Sequence, residues 1–140
     1  MSTSRVLTFG TFDHFHEGHA FYLSEAKKLG DELIVVIARD ETVKAIKGAE
    51  PDFNEKERKK SVEESGIATT VILGDKNDKY KVIRKYKPAI IALGYDQFAF
   101  TQRLQKLLID EELNTNIVRI KSYKPNEFKS SIIKALLKRE

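Results

Sequence analysis

The chain reads as α/β, a single domain with an open five-stranded parallel sheet flanked by helices. Three observations predict it. Five short runs rich in Val, Ile and Leu lack clean polar alternation, which suits strands covered on both faces. Helical patterns alternate with these runs, the order expected of a βαβα sheet with right-handed crossovers. The 140 residues carry no internal repeat, low-complexity tract or linker. One domain over 1–140 is therefore expected, long enough to bury roughly two-thirds of the surface its unfolded chain exposes.

Taken in order, a first strand is expected over Arg5–Phe9, followed by a helix over 18–29 that Gly30 closes. A second strand, Leu33–Ala38, leads to a short helix over 41–46. The next helix spans 55–65. Asn54 caps it, Glu57 three residues on completes a capping box, and Gly66 ends it. Strand Thr70–Leu73 precedes a helix over 77–86, which Lys87-Pro88 stops because proline pushes the preceding residue out of the helical region. Strand Ile90–Leu93, a helix over 101–113, strand Ile117–Ile120 and a last helix over 130–138 complete the series.

Composition excludes several classes. There is no cysteine, so disulfides, thiolate metal sites and cysteine nucleophiles are ruled out. No apolar run approaches the ~18 residues a membrane helix needs, and Met1–Arg5 lacks a signal-peptide layout. A cytoplasmic location is expected. The net charge is +4, but its Lys and Arg are interleaved with acids, as in Lys56-Glu57-Arg58-Lys59-Lys60. No nucleic-acid reader motif accompanies the charge, a modest positive field suits a small anionic ligand as well, and no nucleic-acid partner is expected.

The chemistry concentrates in residues 9–19, Phe-Gly-Thr-Phe-Asp-His-Phe-His-Glu-Gly-His. Gly10 and Thr11 follow the first strand, where open parallel sheets bind ligands. Glycine lets the backbone approach a phosphate, and a threonine hydroxyl can donate to one. The following helix start offers N–H groups and a positive dipole end to an anion. His16 and His19, three apart, fall on one side of that helix, with Gly18 removing a side chain between them. Two imidazoles placed so can donate hydrogen bonds to phosphoryl oxygens as charge builds in a transition state. A surface pair, or a metal set completed by His14, are the alternatives.

A Gly-Thr-Phe-Asp followed by His-x-Gly-His resembles the cytidylyltransferase-like nucleotidyltransferases, over nearly the whole chain from Val6 to Lys134. The resemblance implies a Rossmann-like domain, a homodimer, and transfer of a nucleoside monophosphate from a triphosphate to a phosphate monoester with release of pyrophosphate. It implies Gly10, Thr11, Phe12, His16, Gly18 and His19 as nucleotide-binding, with His16, His19 and Lys47 catalytic. Lys44, Lys47 and Arg58 match the family's phosphate- or acceptor-binding cations. For Arg58 a solvated helix face is the alternative. Asp96, after the fourth strand, matches an acid at the base or ribose edge. Ser130 and Ser131 match a hydroxyl-bearing turn that meets the β- or γ-phosphate. No protein-held metal is implied. Mg2+ accompanies the triphosphate, as in phosphoryl transfer generally.

Among the family's small members, glycerol-3-phosphate cytidylyltransferases carry Arg-Thr-x-Gly-Ile-Ser-Thr-Thr before the last helix. This chain has Arg119-Ile120-Lys121-Ser122-Tyr123 and then Phe128-Lys129-Ser130-Ser131 instead. The stretches Ala38–Val43 and Leu93–Gln97 look more like archaeal-type FAD synthases. That points to ATP and FMN ahead of CTP and a small alcohol phosphate. Tyr95, Phe98, Phe100, Tyr123 and Phe128 are either loop anchors or a stacking surface for a flat ring.

Overall fold

A computed structural model describes residues 4–78, 80–94 and 98–121, with backbone alone at 98–102. Its elements run β1 (Arg5–Gly10), α1 (Glu17–Lys27), β2 (Glu32–Ile37), α2 (Asp40–Lys47), α3 (Glu55–Ser65), β3 (Thr70–Leu73), α4 (Lys81–Tyr86), β4 (Ile90–Gly94), α5 (Phe98–Asp110) and β5 (Asn116–Ile120). The five strands form one parallel sheet in the order β3-β2-β1-β4-β5. The expected helix over 130–138 lies outside the described residues.

The missing polar alternation has the expected cause. Leu33, Val35 and Ile37 of β2 pack into one apolar cluster with Leu23 and Ala26 of α1 and Val62 of α3. Ile34 and Val36 of the same strand join a second cluster with Val82 and Ile83 of α4 and Leu104 and Leu108 of α5. Side chains alternate across a strand, so a sheet covered on both faces needs apolar residues at every position.

The chain runs outward from β1 through β2 to β3, then returns to pair β4 on the other side of β1. That reversal opens a crevice at the carboxyl ends of β1 and β4, where doubly wound sheets bind ligands. The buried Thr8 hydroxyl bonds the Tyr22 hydroxyl and donates to the Ala92 carbonyl at 2.9 Å. The Tyr22 hydroxyl also lies 3.0 Å from the Ala92 carbonyl. This polar knot ties α1 to both strands that flank the crevice.

The caps of α3 are as the sequence predicts. Asn54 accepts from the Glu57 N–H at 2.8 Å, the Asn54 N–H donates to Glu57 Oε1 at 2.9 Å, and Gly66 closes the helix at φ 73°. The end of α1 differs. Its cap is Lys28 in a right-handed conformation, and Gly30 is not left-handed. Gly30 instead lies where a Cβ would come within 2.8 Å of Val6 Cγ2 and 3.0 Å of the Ser4 carbonyl. Close packing of the α1–β2 turn against β1, and not helix termination, requires glycine there.

Candidate active site

His16 is the N-cap of α1 and His19 its third residue. The Gly18 N–H donates to His16 Nδ1 at 3.0 Å, and the His16 N–H donates to His19 Nδ1 at 3.2 Å. Two histidines thus build a reciprocal capping box, the arrangement usually made by Ser or Thr with Glu. One of the expected free N–H groups of this helix start, that of Gly18, is therefore taken by His16. The hydrogen-bond network also assigns the tautomers. A neutral imidazole that accepts at Nδ1 carries its proton at Nε2. Both rings are left with an Nε2–H donor.

The rings stack 3.9 Å apart at 21°. His19 is further enclosed by Phe12 at 5.3 Å and Phe15 at 5.5 Å. Burial foremost, then the neighbouring His16 and, more weakly, the Lys47 ammonium, push its pKa down to about 4 against a partial lift from Asp13. At neutral pH His19 is an uncharged hydrogen-bond donor.

Phe12 is buried and takes a left-handed φ of 55°, which folds its ring back over Gly10. A Cβ on Gly10 would lie 2.5 Å from that ring. The glycine thus admits the Phe12 side chain, and Phe12 can meet a ligand only through its backbone. Thr11 is half-buried, and its carbonyl accepts from Arg58. Lys44 and Lys47 occupy the exposed last turns of α2, the cation-favouring end of a helix.

Arg58 departs from the solvated-face alternative. It is fully buried, not a solvated face, and its guanidinium is already engaged. It donates to the carbonyls of Phe53 and Thr11, each at 2.9 Å, and to Asp40 Oδ1 at 2.7 Å. The side chain joins the β1–α1 loop to the starts of α2 and α3. Asp96, Ser130 and Ser131 lie outside the described residues, as do Tyr95, Tyr123 and Phe128 and the side chains of Phe98 and Phe100.

One cluster escaped the sequence reading. Asp13 accepts from the Asp52 N–H at 2.8 Å and the Phe53 N–H at 3.0 Å. His14 pairs through Nε2 with Asp52 at 2.6 Å and packs edge-on against the Phe53 ring at 4.7 Å. Thirty-nine residues separate Asp13 from Asp52 in sequence, and no local pattern links them. The three-histidine metal set is not assembled. Among the described residues the group able to gather ligand atoms is Asp13, His14 and Asp52. The carboxylate of Asp13 there is already occupied by backbone donors.

With this geometry in view, residues 7–136 match the model of the cytidylyltransferase-like family. The chain belongs to that family. An FAD synthase of Archaeoglobus profundus is 44% identical over 95% of this chain and 86% of its own length. One of Methanosarcina mazei is 43% identical over 97% and 90%, and one of Picrophilus torridus 42% identical over 91% and 90%. A solved structure of Thermoplasma volcanium, described as a lipopolysaccharide core biosynthesis protein, superposes with a TM-score of 0.81 at 42% identity. It covers 87% of this chain and 99% of that one. A pantoate-beta-alanine ligase of Francisella tularensis shares the fold at TM-score 0.65 and 16% identity, over 86% of this chain and 60% of its own. As a family member with these relatives, the chain is a nucleotidyltransferase. Among its described residues no helix is long and apolar enough to cross a membrane.

Proposed function

We propose that this nucleotidyltransferase moves AMP from ATP to FMN, forming FAD and pyrophosphate. The stacked His16–His19 pair, with both Nε2–H groups as donors at the carboxyl end of β1, carries the reaction class. The FAD synthase names of its relatives support the substrates.

A phosphate oxygen of FMN attacks the α-phosphorus in line, and the bond from that phosphorus to the β-phosphate bridging oxygen breaks as pyrophosphate leaves. His16 and His19 donate to the oxygens on which negative charge builds. The backbone of Gly10, Thr11 and Phe12 receives the phosphates, and Gly18 leaves room for them beside the histidines. Lys44 and Lys47 draw in and neutralise them. Asp96 is assigned to the base or ribose, and Ser130 and Ser131 to the outer phosphates, on the family resemblance. Catalysis is positioning plus electrostatics, with no covalent intermediate. Mg2+ enters as part of the nucleotide substrate. Arg58 is assigned to holding the loops and not to binding phosphate.

The deciding experiment mixes the protein with ATP, Mg2+ and FMN. Pyrophosphate release with stoichiometric FAD is expected. Binding of ATP without release overturns the enzyme reading. The family's name favours testing CTP with glycerol 3-phosphate in the same assay, and turnover confined to that pair overturns the FMN assignment. A homodimer in the cytoplasm is the assembly proposed, and a monomer mass in sedimentation equilibrium overturns it.

A further inference from the structure

We propose that His14 is a positioning residue: with Asp13 it anchors the C-terminal end of α2 and so holds Lys47 beside the His16–His19 pair. The inference rests on the phosphate-binding role assigned to Lys47.

The two ends of α2 are held very differently. Its start is clamped by Arg39 on Glu55 at 2.9 Å and on the Gly74 carbonyl at 2.7 Å, and by Asp40 under Arg58. Along its length α2 buries one residue, Val43. Beyond Val43, residues 44–50 are all exposed, and among the described residues their side chains form no hydrogen bond or ion pair. An eight-residue helix with one buried side chain is not fixed by its own propensity. The next anchor downstream is Asp52-Phe53, five residues after Lys47.

That anchor is attached to the catalytic loop itself. Asp13 takes both backbone N–H groups, His14 takes the Asp52 carboxylate, and the His14 ring braces Phe53. His14 reaches this position in a left-handed conformation, φ 53°. A non-glycine residue held there is strained, and such strain persists where surrounding contacts over-determine it. Its side chain is largely exposed, so it is no part of the apolar core. The effect of the clasp is to make the distance between Lys47 and the histidines a property of one short loop pair.

A double-mutant cycle tests it, using His14→Ala, Lys47→Ala and the combination, with pyrophosphate release from ATP and FMN as the readout. His14→Ala is expected to lower kcat/KM about tenfold alone, but less than about twofold when Lys47 is already alanine, because residues acting through one another are not additive. His14→Gln, which keeps a donor toward Asp52, restores most of the loss. Amide exchange at 44–48 rises about tenfold in His14→Ala while α1 and α3 are unchanged. An equal loss in both backgrounds overturns the proposal, and so does unchanged exchange at 44–48. Full turnover in Lys47→Ala overturns the role of Lys47 itself, and exchange alone then decides whether His14 anchors the helix.

Discussion

The His16 imidazole stacks 3.9 Å from that of His19, and each ring accepts a backbone N–H through Nδ1. One geometry thus caps a helix and leaves each ring an Nε2–H donor. Capping uses Nδ1 and the proposed transition-state stabilisation uses Nε2–H, so substitutions can separate them.

His16→Ala removes the cap and the donor together, and is expected to cost about 1 kcal/mol of stability along with turnover. His16→Asn restores a cap acceptor without restoring Nε2–H. Its stability should return while turnover stays low, as read by urea denaturation beside initial rates.

His19→Ala is expected to lower turnover by at least ~10²-fold, the scale for losing one preorganised donor. Circular dichroism should show the fold intact. Near-normal rates would remove His19 from the chemistry.

His19 should titrate near pH 4 in the ligand-free protein and show the Nε2–H tautomer at pH 7, both visible in nitrogen-15 spectra of its ring. The folded value lies below the ordinary 6.5, so the folded state binds fewer protons than the unfolded one. The associated stability is full above pH 6.5 and is lost as pH falls toward 4. His14, raised by its bond to Asp52, works in the opposite sense but is exposed and contributes little. A His19 midpoint near 6.5 would contradict the enclosed, neutral ring.

Arg58→Met should destabilise by about 3–5 kcal/mol, the range for breaking a buried pair, and Arg58→Lys should recover little because one ammonium cannot span three acceptors. Denaturant midpoints measure both. A folded Arg58→Lys variant with its only defect a raised KM for ATP or FMN would restore the phosphate-ligand role.

Gly10→Ala should cost about 1–3 kcal/mol, since its Cβ would meet the Phe12 ring and that ring is wedged in the core. A thermal midpoint equal to that of the parent protein would show that the ring can give way.

Much of this was legible in advance because it is local. The α3 capping box lies within four residues, and the runs of β1 to β5 announce two covered faces. The His-x-Gly-His unit states its own spacing. The burial of Arg58 is not legible for the opposite reason. Its neighbours, Lys56, Glu57, Lys59 and Lys60, describe a solvated helix, and only packing α3 against the β1–α1 loop turns one guanidinium inward. Gly30 was assigned to a helix end because nothing local reveals Ser4 and Val6 lying against it.

The strands, most helices, the parallel sheet and the segment proposed to carry the chemistry are legible in the sequence, since periodicity, caps and a short motif depend on residues a few positions apart. Only the tertiary structure decided that Phe12 fills the space above Gly10, that Arg58 and Asp40 lock the loops, and that Asp13 and His14 clasp Asp52 and Phe53. Those contacts join residues 18 to 47 positions apart or turn on an unusual backbone angle. Their existence depends on which faces the sheet brings together, which no local pattern encodes.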